Sequence, residues 1–200
     1  MIARAAIAVV IAAIAPPAFG DSREVHVESR AVAGSKVLEL VVTGVIDAPP
    51  GRVIAMLSDV EAYPALMWPT ILAKVLAREG DTLWCYMVID PPIIEKRDYC
   101  MKITVTRLAD GGFKSEWIDA PDRCPPPAHG ILRIVRNVGS WELHPQADGK
   151  TFARYTQHSD PGGSVPTWIV NNMSAKAMPD IFNAVRRAVT LPRYANRGGP

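Results

Sequence analysis

Apolar residues recur along the chain in two rhythms. The first is the short period of strands. Val25 and Val27 alternate with His26 and Glu28, and residues 37–46 form a second, β-branched-rich run. Further runs occupy residues 71–78, 82–89, 97–107, 113–119, 131–138, 141–144 and 151–158. Turn chemistry separates them: Gly80-Asp81, Pro91-Pro92, Asp110-Gly111-Gly112, a Pro-rich loop over 120–129, and Gly139 closing the 131–138 run. Asp47-Ala48-Pro49-Pro50-Gly51 opens a helix with Val53, Ile54 and Leu57 on its apolar side, and a further helical turn over 59–66 is limited by Pro64. Strands in consecutive runs argue an α+β protein, an antiparallel sheet with helices on one side.

The second rhythm is helical and fills residues 166–189. Asp160-Pro161-Gly162-Gly163 turns the chain into it, Ser164 offers capping chemistry, and Pro166 suits the first helical position, whose N–H would lack a partner anyway. At about 100° per residue, Asn171, Ser174, Met178, Ile181, Phe182, Val185 and Val189 share one face, and Lys176, Asp180, Asn183 and Arg187 the other. Pro179 interrupts the hydrogen-bond ladder in mid-helix. One apolar face of this width either packs on a core or closes one side of an apolar cavity.

Four segments together resemble the START lipid-transfer domain of the helix-grip (SRPBCC) superfamily. They are VHVESRAVAGS (25–35), GVIDAPPGRVIAMLSDVEAYP (44–64), IDPPIIEKRDYCMKITV (89–105), and the stretch from WELHP at 141 through DPGGSVP into the last helix. The resemblance covers roughly residues 24–190. It implies a helix-grip fold: a curved antiparallel sheet wrapped around the C-terminal helix, with an internal apolar cavity of lipid size. It also implies that Arg97, Tyr99, Met101, Ile103 and Val105 face that cavity. A symmetric hairpin through Pro91-Pro92 would set Trp84 opposite Met101 and Tyr86 opposite Tyr99, turning Trp84, Tyr86 and Val88 inward as well. The expected cavity set is therefore Trp84, Tyr86, Arg97, Tyr99, Met101 and Ile103 from the sheet, with Asn171, Ser174, Met178, Ile181, Phe182 and Val185 from the helix. Lys102 has the wrong parity for the cavity cation that some members carry. By analogy, ligand would enter where the hairpin at 109–112 meets the helix, with the loop over 120–129 as the alternative.

Composition adds an amino-terminal signal. Residues 1–20 hold a single charge, Arg4, and an apolar run over 5–15 ended by Pro16-Pro17, followed by small residues. This is the layout of a cleaved signal peptide, with cleavage expected after Gly20 and export to a bacterial periplasm. The expected domain then spans 21–192, followed by a disordered tail over 193–200. A net charge of +2 gives no basis for nucleic-acid binding, and a monomer with transient membrane contact is expected.

Candidate chemistry is sparse. His26, His129, His144 and His158 show no metal-ligand spacing, and no nucleophile elbow, Walker loop or dinucleotide fingerprint is present, so neither metal nor cofactor is expected. His158 lies just before the helix, and Arg97-Asp98 matches the family's Arg-Asp pair, which locks a strand start. Three cysteines suit one disulfide and one thiol in an exported protein. Cys85 and Cys100 oppose each other in the symmetric hairpin, and either a disulfide between them or two small buried residues fits. The resulting expectation is non-enzymatic binding, and transfer, of a lipid or other hydrophobic small molecule. The alternative is a polyketide cyclase or aromatase of the same superfamily.

Overall fold

A computed structural model describes residues 24–195. The signal peptide expected over residues 1–20 and the tail over 196–200 lie outside the described residues. Nine strands form one curved, open sheet: β1 (Val25–Arg30), β2 (Glu39–Ile46), β3 (Thr70–Glu79), β4 (Thr82–Ile89), β5 (Lys96–Arg107), β6 (Phe113–Asp119), β7 (Ile131–Arg133), β8 (Arg136–Pro145) and β9 (Thr151–Asp160). Their order is β1-β2-β9-β8-β6-β5-β4-β3, antiparallel throughout, and short β7 pairs parallel to the start of β5. Helices α1 (Pro50–Leu57) and α2 (Tyr63–Leu66) lie between β2 and β3, and α3 (Thr167–Ala188) follows β9. This is the helix-grip arrangement.

The grip is built by close contacts between α3 and the sheet. Gly44 in β2 lies under the helix: a Cβ there would sit 3.0 Å from Arg186 Nη2 and 3.2 Å from the Phe182 ring. Arg186 Nε donates to the Val45 carbonyl at 2.9 Å. The Phe182 ring meets Trp141, which stacks on Tyr155 with centroids 4.4 Å apart. Beyond α3 the chain does not fray at 193 as expected. Pro192–Tyr194 forms a 3-10 turn, Tyr194 is fully buried, and its hydroxyl donates to Asp59 Oδ2 at 2.8 Å. An aromatic side chain that fills the core and satisfies its own hydroxyl holds a terminus down.

Two strand expectations change. The runs over 131–138 and 141–144 divide differently: β7 is brief, and β8 passes without interruption through Gly139. Gly139 is there because a Cβ would collide with the Trp117 ring and the Thr156 carbonyl, so it marks a close approach inside a sheet.

The β4–β5 register is the second. The hairpin centres on Ile93, which adopts φ +78°, and not between Pro92 and Ile93. The added half-step pairs Cys85 with Met101 and Tyr86 with Cys100, and a one-residue slip turns every side chain to the other face. The residues of β4 that face the helix are Leu83, Cys85 and Met87. Trp84, Tyr86 and Val88 lie on the outer face, where Arg123 and Lys102 cover Trp84, and Tyr86 and Val88 pack with Cys100. The Cys85–Cys100 disulfide is excluded by the same slip. Cys100 pairs with Cys124 across a Cα separation of 5.5 Å, and Cys85 is a buried thiol.

Candidate ligand cavity

Between the sheet and the first half of α3 lies a cavity of about 750 Å³. Its floor comes from inward positions of β5, β6, β8 and β9, and its roof from residues 168–181 of α3. Leu57, Tyr63 and Met67 close one side. The wall is largely apolar, with Met87, Met101, Ile103 and Met178 among its members. It opens to solvent among Trp68, Ile93 and Trp168, which are 64%, 87% and 68% exposed. Such large apolar side chains gathered around one opening form the kind of patch that marks an interaction site.

Arg97, Tyr99, Met101 and Ile103 from β5, with Ser174, Met178 and Ile181 from α3, stand on this wall. Trp84 and Tyr86 do not, for the register reason given above. Asn171 is turned aside, and its Oδ1 accepts the Leu38 N–H at 3.1 Å. Phe182 and Val185 share the apolar face but are packed fully into the core beyond the cavity's end. Lys176, assigned by periodicity to the back of the helix, borders the opening, as does Asp180. Neither residues 109–112 nor residues 120–129 touch the cavity. The first of these segments is held by Asp110, which binds His144 at 2.6 Å and caps the Gly112 N–H. His158 points away and contacts Ser35 Oγ at 3.1 Å.

The Arg-Asp pair splits across the sheet, as neighbours on a strand must. Asp98 faces outward, wholly buried, in a bidentate pair with Arg133 at 2.7 and 2.9 Å, and it accepts the Tyr86 hydroxyl at 3.1 Å. Arg97 faces inward, and its Nε donates to the Pro161 carbonyl at 3.0 Å, fixing the Gly-rich turn before α3.

The sequence did not foretell the polar strip on the cavity floor. Tyr155 donates to Gln157 Oε1 at 2.6 Å, Gln157 Nε2 to Asn137 Oδ1 at 3.2 Å, and Trp117 Nε1 to the same oxygen at 3.4 Å. The available signal was strand parity: 155, 157 and 159 alternate on β9, and Asn137 and Ser159 are directly paired. Burial pushes the Tyr63, Tyr99 and Tyr155 phenols up, so they stay neutral hydrogen-bonding groups at ordinary pH. Among the described residues the wall carries no His, Cys or Glu, and no cluster of three or more His, Cys, Asp or Glu could hold a metal ion.

A model of the START domain family matches residues 45–193. An uncharacterized protein of Pseudomonas aeruginosa is 29% identical over 169 residues, 84% of this chain and 83% of its own length. The crystal structure of a STAR-related lipid transfer protein from Xanthomonas axonopodis superposes with a TM-score of 0.77 at 27% identity, covering 86% of this chain and 97% of that one. An aromatase/cyclase from Streptomyces shares the fold with a TM-score of 0.58 at 15% identity, over 88% of this chain and 100% of its own.

Proposed function

The chain belongs to the START domain family, and from that premise we propose that it binds, and carries between membranes, a lipid or similar hydrophobic small molecule without altering it. The observation that carries this reading is the 750 Å³ cavity, whose largely apolar wall offers a lipid tail about 0.8 kcal/mol per buried CH₂. The Xanthomonas structure, described as a lipid transfer protein, supports the same reading. The test is transfer of a fluorescent lipid between donor and acceptor vesicles. Transfer above the spontaneous rate is the expected result, and no acceleration together with no bound lipid would refute it.

Trp68, Ile93 and Trp168 would meet the bilayer during exchange, because indole rings favour the membrane–water interface. Vesicle co-sedimentation of a Trp68→Ser, Ile93→Ser, Trp168→Ser variant should fall well below wild type. A monomer suffices for this cycle. Export is proposed from residues 1–20, with support from the Cys100–Cys124 disulfide, which suits an oxidising compartment. Amino-terminal sequencing of the mature protein tests the cut after Gly20.

The polar strip Tyr155-Gln157-Asn137 keeps a second reading in view, a cyclase like the Streptomyces neighbour. Recovery of the co-purifying ligand chemically unchanged after prolonged incubation argues for the carrier, and a new cyclised product for the enzyme.

A further inference from the structure

The hydrogen bonds of the cavity floor run in one direction. Trp117 Nε1 can only donate, so the Asn137 atom that meets it at 3.4 Å is the carbonyl oxygen. The same oxygen receives Gln157 Nε2 at 3.2 Å, which turns Gln157 Oε1 toward the Tyr155 hydroxyl at 2.6 Å. Asn137 Oδ1 is filled by these two N–H groups. Each amide nitrogen, however, carries two protons. Gln157 Nε2 uses one on Asn137, and Asn137 Nδ2 finds Met101 Sδ at 3.3 Å, a weak acceptor. One proton on each nitrogen has no partner among the described residues.

The two nitrogens belong to one site. Both residues stand on the cavity wall, and Asn137 is only 3% exposed. Amide bond lengths set Nδ2 about 2.3 Å from Oδ1, and so within roughly 5.5 Å of Gln157 Nε2. One oxygen at about 2.9 Å from each nitrogen can bridge that gap. The surroundings select a neutral oxygen. Met101, Ile103, Trp117 and Trp141 line the cavity around the pair. The Asn137 backbone N–H donates to Asp119 Oδ1 at 2.6 Å, so a carboxylate stands behind the pair and disfavours an anionic head. Arg97 is tied to the Pro161 carbonyl at the far end of β9. A carbonyl oxygen offers two lone pairs to two N–H groups, whereas a hydroxyl brings a proton of its own to a place where Asn137 Oδ1 is already filled.

We propose that Asn137 and Gln157 form a clamp for the carbonyl oxygen of a ketone or ester on an otherwise hydrocarbon ligand. Asn137 Nδ2 and Gln157 Nε2 are the donors, and the apolar chain lies along Met101, Ile103 and Met178. The inference rests on the cavity-binding reading above.

The test uses the protein loaded with the neutral probe N-phenyl-1-naphthylamine. 2-Pentadecanone, methyl tetradecanoate, 2-pentadecanol and pentadecane, of equal carbon count, compete for it. At least one carbonyl compound should displace the probe about fivefold more tightly than the alcohol, the gain expected of a net hydrogen bond, and the tighter of the two tells ketone from ester. Asn137→Leu and Gln157→Met should each shrink the preference to below about twofold while leaving pentadecane unchanged. If neither variant folds, the infrared carbonyl stretch of carbon-13-labelled 2-pentadecanone bound to the wild-type protein decides. A stretch below its value in hexane supports the clamp, and the hexane value overturns it. Alcohol binding as tightly as both carbonyl compounds, or a preference that survives both substitutions, also overturns the clamp and leaves the carrier reading standing. Failure of all four compounds and of the probe to bind overturns both.

Discussion

The two halves of α3 present one continuous apolar face, yet they do opposite work. After Pro179 the face is packed: Phe182 and Val185 are fully buried, Phe182 meets the Trp141–Tyr155 stack, and Gly44 leaves room for the Phe182 and Arg186 side chains against β2. Before Pro179 the helix spans open space instead, with Ser174 and Met178 of that face and Met173 of the neighbouring flank lining the cavity, and Trp168 exposed at its edge. Pro179 itself cannot donate to the carbonyl four residues back, so the ladder is weakened where the two regimes meet. An amphipathic helix can therefore be an anchor at one end and a roof at the other, and the hydrophobic period alone does not distinguish them.

The sharpest way to break this comparison is a pair of truncations. Phe182→Ala should cost about 3–5 kcal/mol in chemical denaturation, the range for deleting a packed aromatic, whereas Met173→Ala should cost less than about 1 kcal/mol. Equal losses would mean that the roof is packed too. Next in size, Gly44→Ala should destabilise by about 1–3 kcal/mol through overpacking against Phe182 and Arg186. Met173→Trp should leave the denaturation midpoint nearly unchanged while filling the cavity and removing probe binding.

A thiol titration tests the packed core beneath. Cys85 is fully buried, and burial pushes its thiol up to about 12. The native, unreduced protein should show no reactive thiol and the denatured, unreduced protein one. Three thiols in the denatured sample would exclude the Cys100–Cys124 bond. The smallest expected effect is Lys176→Glu at the cavity opening, within about 0.5 kcal/mol of wild type, as for most exposed substitutions.

The fold was legible because its signals are local and repeated. Strand alternation, the Gly-Gly turn and the helical period of residues 166–189 each read directly onto an element, and the ordered segments around 44–64, 89–105 and 141–166 pointed to the helix-grip family. The cavity wall was legible on β5, where Arg97 and Met101 keep strict parity from a recognisable Arg-Asp start. It was illegible on β4, because a six-residue stretch between Ile89 and Lys96 fixes the register through one left-handed residue, Ile93, whose β-branched side chain gives no hint of positive φ. That half-step moved Trp84 and Tyr86 out and reassigned the disulfide. The floor strip of Asn137 and Gln157 escaped because β8 and β9 meet it across the sheet, and such pairings are not written in either strand alone.

Native mass spectrometry after incubation with a bacterial lipid extract tests the central claim most directly. The account predicts a one-to-one lipid adduct on the wild-type protein, absent from Met173→Trp although that variant is equally folded. A wild-type spectrum without adduct, or the same adduct on both proteins, would contradict the assignment of the first half of α3 as the roof of a ligand cavity.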